Sequence, residues 1–195
     1  MNDMNSDIDE EKYRNFMESK LENIEDSKNQ NSLQDSIKDK LDSKDYRKNV
    51  AAVVLSQSYP EKCEFFLAER FDLRGVWQFP QGGIDSGESA REALFRELEE
   101  EIGTREVEII AECKEWVSYD FPPGVAENMK PFKGQVQKYF LVRLKRDCNV
   151  DINTKEPEFF RYEFVDFENL MKRINHFKRP VYMRVLSYFR KEGYI

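Results

Sequence analysis

The sequence predicts an α/β chain in which helices sandwich a mixed β-sheet, preceded by a polar leader. Three observations predict this. Short apolar runs such as NVAAVVLSQ (Asn49–Gln57) and QVQKYFLVRL (Gln135–Leu144) read as buried strands. One helix is embedded among them, from Glu88 to Ile102, and stops at Gly103, a glycine suited to a helix C-terminus. A second, VYMRVLSYFRKEG (Val181–Gly193), ends the chain with Val181, Val185, Leu186 and Phe189 at core spacing. Strands with an embedded and a terminal helix fit this layered class.

The first 45 residues stand apart. They hold 13 acidic and 7 basic residues, with few apolar positions and neither proline nor glycine. So little apolar surface does not offset the entropy of ordering, and a disordered or marginally helical extension is expected. Most of the chain's net charge of −7 lies there, so the body, residues 46–195, is near neutral and free to carry a basic groove. Within the body, CEFFLAERF (Cys63–Phe71) reads as a second strand, after the turn at Tyr59-Pro60. DLRGVWQFPQGG then makes a loop, a short aromatic strand and a glycine turn. Val107–Val117 holds one or two strands. The loop from Ser118 to Gly134 is long enough to suggest a function of its own. FRYEFVDF (Phe160–Phe167) is the last strand.

Composition excludes several chemistries. Three scattered cysteines, Cys63, Cys113 and Cys148, make neither a metal pair nor a disulfide framework, and are expected as small buried residues in a reducing compartment. With His176 as the only histidine, a zinc site or a histidine relay is disfavoured. No apolar run reaches membrane-spanning length, so a soluble cytoplasmic protein without a membrane partner is expected.

The embedded helix crowds Glu97, Glu99, Glu100 and Glu101 into one turn and a half. At about 100° per residue, Glu97, Glu100 and Glu101 share an arc of about 100°, with Ala90 and Ala93 on it. Leu94, Phe95, Leu98 and Ile102 occupy the adjoining arc and face the core. Glu99 points away, towards solvent or a salt bridge. Asp85 and Glu88 have capping-box spacing. Carboxylates 5–6 Å apart repel by about 3 kcal/mol at an effective dielectric of 20. Taken alone, the cluster is either a solvated acidic face or an all-oxygen site for a hard cation, Mg²⁺ or Mn²⁺.

The surroundings carry more. Gly82, Glu88, Arg96, Glu97, Leu98, Glu100, Glu101 and Gly103 match the pattern G-x5-E-x7-R-E-U-x-E-E-x-G-U, where U is apolar. Residues 82–104 thus resemble the Nudix box, with Thr104 departing at the last apolar position. The resemblance implies a Nudix hydrolase with an α/β/α sandwich fold, cleaving phosphoric anhydride bonds. It implies Glu97, Glu100 and Glu101 as metal ligands with the Gly82 carbonyl, Arg96 orienting a glutamate, and Glu88 supporting the loop.

Further stretches narrow the branch. WQFPQGGI (Trp77–Ile84), Trp116 with Tyr119 and Pro122, GQVQKYFLVRL, PEF (Pro157–Phe159) and FKRPVYMRV (Phe177–Val185) resemble the RNA pyrophosphohydrolases and dinucleoside polyphosphate hydrolases of that family. This implies that Arg47, Arg70 and Lys178 hold 5′ phosphates and that Phe177 stacks on an RNA base. It implies Glu158 as a further metal ligand or base, and Gln137 and Lys138 as lining of the same pocket. The expected activity is Mg²⁺-dependent removal of pyrophosphate or phosphate from the 5′ end of single-stranded RNA, with Mn²⁺ as a substitute. Hydrolysis of a dinucleoside polyphosphate is the alternative. A catalytically silent binding module is disfavoured by the intact acids.

Overall fold

A computed structural model describes residues 27–174 and 177–195. The expectation for residues 1–26, and that for His176, lie outside the described residues. Of the leader, Ser27–Asp42 forms helix α1. Lys40–Ile195 is one unit.

The strands are β1 (Tyr46–Leu55), β2 (Phe65–Arg70), β3 (Trp77–Gln78), β4 (Gln81–Gly83), β5 (Val107–Glu112), β6 (Val117–Asp120), β7 (Gly134–Leu144) and β8 (Phe159–Val165). The helices after α1 are α2 (Ala90–Ile102), α3 (Pro123–Asn128), α4 (Phe167–Arg173) and α5 (Arg179–Lys191). The main path of the sheet is β3-β2-β1-β7-β5, with β4 on β1, β6 on β7 and β8 on β2. β1 and β7 run parallel from Tyr46↔Gly134 to Leu55↔Arg143, and the other pairs are antiparallel. The sheet is therefore mixed, as expected.

β1 from Asn49 onwards and nearly all of β7 are buried on both faces, which is why they read as apolar runs. Alternate residues feed two cores. Ala51, Val53, Leu55, Leu67, Tyr139 and Leu141 pack with Val181, Tyr182, Val185 and Phe189 of α5. Val50, Ala52, Val54, Phe66, Phe140 and Val142 pack with Leu94, Leu98 and Ile102 of α2. The α/β/α sandwich follows from this period of two.

Some local expectations are corrected. The N-cap of α2 is Ser89, not Asp85. The Ser89 hydroxyl accepts from the Glu92 N–H, and the Glu92 carboxylate accepts from the Ser89 N–H. Two capping-box spacings lie side by side here, Asp85 with Glu88 and Ser89 with Glu92, and only Ser89 directly precedes the helix. Glu88 closes a turn on the Asp85 N–H instead, at 3.0 Å. Ala93, expected on the acidic arc, is fully buried in the α2 core. The Ser118–Gly134 segment is partly ordered, by β6 and α3. Only Cys113 is buried; Cys148 is half-buried and Cys63 exposed. Gly103 caps α2 at φ +70°, and its Cβ position is crowded by the Asp151 carbonyl, so glycine suits it twice over. The departing Thr104 is buried, and its hydroxyl accepts from the Glu106 N–H at 3.0 Å, which satisfies it. No helix among the described residues is long and apolar enough to cross a membrane.

Candidate active site

The glycine turn and the acidic helix meet because β4 pairs with β1 through Asn49↔Gly83, Val50↔Gly82 and Ala51↔Gln81. That pairing sets the turn against α2. The Gln81 N–H donates to Glu101 Oε2 at 2.9 Å. A Cβ at Gly82 would fall on the Glu97 carboxylate itself, so only glycine lets the chain pass so close.

Arg96 ties the site together. It donates to both oxygens of Glu88 at 2.9 Å, to Glu97 Oε1 at 2.7 Å, to Glu100 Oε2 at 3.0 Å and to the Gly83 carbonyl at 2.7 Å. One guanidinium thereby offsets the repulsion among three carboxylates. Its own pKa is raised, first by the Glu88 hydrogen bond.

The acids differ in depth. Glu101 is 1% exposed, Glu97 is buried, and the Glu100 side chain is more than half exposed. Burial pushes the Glu101 carboxyl well above the usual range, and the charges of Glu158 and Glu97 push the same way. Burial also raises Glu97, against the pull of Arg96. Glu101 Oε1 is buried without a hydrogen-bond partner among the described residues. Among those residues, no set of three His, Cys, Asp or Glu side chains is gathered tightly enough to hold a metal as it stands. The carboxylates of Glu97 and Glu100 are turned to Arg96 instead. An orphaned carboxylate oxygen amid an all-oxygen donor set fits a hard divalent cation. Glu99 stands apart, paired with Arg105.

Within electrostatic reach of Glu101 lies a basic cluster. Lys178 is buried, and burial, followed by the charge of Arg70, lowers its pKa to about 7; Glu101 and Glu158 act against this. Arg70 also feels Glu158 and Glu101. Its guanidinium is gripped by Asp72, at 2.8 and 2.7 Å, and this hydrogen bonding is what raises its pKa most. Tyr119 links these groups: its ring lies 5.6 Å from that of Phe177 and 5.8 Å from Lys178 Nζ. Tyr119 also feels the charges of Arg70 and Arg47. Arg47 is exposed, with its guanidinium packed over Gly83.

The structure therefore gathers Gly82, Arg96, Glu97, Glu100 and Glu101 in one group, and Arg70, Lys178 and Phe177 around Glu101, Glu158 and Tyr119. It does not bring Gln137 and Lys138 to one face, since neighbours on a strand point oppositely. Gln137 is fully buried, donating to Asn49 and Gln81 and accepting from the Tyr139 hydroxyl. Lys138 turns to Glu112, at 3.1 Å, and to the Lys114 carbonyl. Sequence reasoning missed Asp72, Gln81 and the Gly83 carbonyl. The two main-chain groups leave no mark in residue identity. Asp72, two residues after Arg70, was a faint signal.

Comparison with known proteins matches the chain to a family. The NUDIX domain matches residues 45–185. The chain belongs to the Nudix family. It is 60% identical over 152 residues to an RNA pyrophosphohydrolase of Campylobacter jejuni subsp. doylei, a match covering 78% of this chain and 97% of that one. It is 55% identical to the RNA pyrophosphohydrolase of Helicobacter pylori, covering 78% and 98%. Among solved structures it is similar in fold to a C. elegans Ap4A hydrolase binary complex, with TM-score 0.58, 21% identity and coverage of 75% and 98%. For a Nudix chain, the tight passage at Gly82 becomes a test. Gly82→Ala should displace the Glu97 carboxylate and lower the turnover number about a hundredfold, the cost of an ångström-scale misplacement. The melting temperature should change little, because the obstructing group is the far end of a flexible side chain.

Proposed function

We propose that this chain is a divalent-metal-dependent RNA pyrophosphohydrolase. It removes pyrophosphate, or phosphate from a diphosphate, at the 5′ end of single-stranded RNA. The product carries a 5′-monophosphate and is thereby exposed to decay. The observation that carries this reading is the meeting of Glu101 and Glu158 with Arg70 and Lys178, beside the partly exposed ring of Phe177. The names of the Campylobacter and Helicobacter relatives support it.

Glu97, Glu100 and Glu101, with the Gly82 carbonyl, would hold Mg²⁺, for which Mn²⁺ would substitute. When bound, the ion would neutralise the phosphates, polarise phosphorus and lower the pKa of the attacking water. Arg96 holds Glu97 and Glu100 in place until then. Arg70 and Lys178, with Arg47, bind the phosphate oxygens. Because Lys178 is near its pKa at neutrality, the arriving phosphate charge holds the proton on Nζ. Phe177 stacks on an unpaired base. Glu158 accepts the proton of the attacking water. The acids and the phosphate-binding cations thus flank one anhydride bond. Residues 46–195 form the hydrolase domain, and 1–45 an extension to it.

An equal-concentration assay of 5′-triphosphorylated RNA and diadenosine tetraphosphate, with Mg²⁺, tests the reading. RNA should be consumed faster, with release of pyrophosphate and a 5′-monophosphate end. Faster turnover of the dinucleotide would give the chain to that substrate instead. Lys178→Ala and Phe177→Ala should lower kcat/KM on RNA by about tenfold or more, and less on the dinucleotide, since stacking and phosphate contacts carry the strand. Equal losses on both substrates would count against the role of Phe177 in base recognition.

A further inference from the structure

Among the described residues the exposed large hydrophobic side chains are Phe71, Leu73, Phe160 and Phe177, at 59, 53, 46 and 38% exposure. Phe177 belongs to the site above. The other three lie in one region: the turn from Phe71 to Gly75 between β2 and β3, and the second residue of β8. Scattered exposed apolar residues are ordinary; three beside a candidate active site are not.

The region is held by hydrogen bonds. The Arg70 N–H donates to the Val76 carbonyl at 2.9 Å, and the Val76 N–H to the Leu73 carbonyl at 3.2 Å. The Gly75 N–H donates to Glu69 Oε1 at 2.7 Å, with Gly75 at φ +79°. The Phe71 N–H donates to the Glu158 carbonyl at 2.8 Å, which fixes the turn to the segment bearing that acid. The register of β2 against β8 shifts between Glu69 and Arg70, and this bulge leaves both Phe160 and Arg161 exposed.

On this frame the Arg74 guanidinium lies 3.2 Å from the centre of the Phe160 ring. The nearby carboxylates are engaged elsewhere: Glu69 with Gly75 and Arg161, Asp72 with Arg70. Arg74 forms no close ion pair among the described residues; Glu69 feels its charge but is bonded to Gly75 and Arg161, which leaves the Arg74 N–H groups open to a ligand. A flat cation layered on an exposed ring offers a stacking face for a nucleobase and a donor for a phosphate. A protein interface would need about 800 Å² on each side, far more than three apolar residues supply.

We propose that Phe160 and Arg74, with the Phe71–Leu73 turn, form a second stacking platform for the RNA strand, taking a nucleobase other than the one on Phe177. This deepens the reading above and rests on it. Arg70 directly precedes the turn, and Glu158 lies two residues before Phe160. A strand whose 5′ phosphates sit on Arg70 and Lys178 therefore has the platform next to it.

The test compares kcat/KM on 5′-triphosphorylated RNAs of two and of eight nucleotides, for the wild type, Phe160→Ala, Arg74→Ala and Phe160→Tyr. The wild type should favour the octamer. Phe160→Ala and Arg74→Ala should lower the octamer-to-dimer ratio by about fivefold or more, and Phe160→Tyr should keep it. An unchanged ratio on an active enzyme would overturn the platform and leave the patch to a protein partner. A proportional loss at both lengths would overturn it as well, marking a structural role. A wild type inactive on both RNAs but active on diadenosine tetraphosphate would overturn the parent reading, and the platform with it.

Discussion

Replacing Glu101 with glutamine should lower turnover by about a thousandfold or more and leave the fold standing. The loss follows from removing a charged oxygen ligand where several kcal/mol of transition-state stabilisation are at stake. The fold survives because the amide oxygen can still accept from the Gln81 N–H, as Glu101 Oε2 does at 2.9 Å. The substitution also removes an ionisable group from a site where Oε1 has no hydrogen-bond partner among the described residues. Metal-free protein should therefore melt no lower than the wild type, and this separates lost chemistry from lost structure. Retained turnover with Mg²⁺ would remove Glu101 from the reaction.

The same residue predicts a pH dependence. Burial raises the folded-state pKa of Glu101 well above its ordinary 4.5. Between the ordinary and the raised value the folded chain binds more protons than the unfolded one. This residue's contribution to metal-free stability should then fall as pH rises through that window, and level off above it. Glu101→Gln should flatten the slope. Denaturant titrations across that range in the presence of a chelator measure it.

Arg96→Met should have the largest effect on stability. One guanidinium satisfies Glu88, Glu97, Glu100 and the Gly83 carbonyl, and its side chain is only a quarter exposed. Without it, the buried Glu97 loses the partner that counters its burial and must either stay charged unpaired or take up a proton. The cost should be about 3 kcal/mol, at the lower end for breaking a buried pair because the site is partly wetted. A divalent cation supplies the missing counter-charge. Added Mn²⁺ should therefore raise the melting temperature of Arg96→Met more than that of the wild type. Equal shifts would mean that Arg96 does not share its carboxylates with a cation.

Helical and strand periods made much of this legible in the sequence. The spacing of Leu94, Leu98 and Ile102 against Glu97 and Glu101 set both the core face and the acidic face of α2. The apolar runs of β1 and β7 announced strands buried on two sides. Arg70, Lys178 and Phe177, far apart in sequence, became a group only by resemblance, because no local pattern says which loops meet. Depth was not legible: three glutamates on one arc end up with Glu101 almost fully buried and Glu100 outside. That depends on how closely β4 approaches α2, a property of glycine backbone rather than of side chains. The strand period did contain the evidence that Gln137 and Lys138 face opposite ways. Helix α4 was not anticipated; the Asp166 cap that accepts from the Asn169 N–H is its clearest signal.

These carboxylates are expected to hold a divalent ion. Anomalous diffraction from crystals soaked in Mn²⁺ tests it most directly. A peak is expected within coordination distance of carboxylate oxygens of Glu97, Glu100 and Glu101, with the Glu97 and Glu100 side chains drawn off Arg96. Well-ordered glutamates still bonded to Arg96, with no peak among them at saturating Mn²⁺, would contradict it.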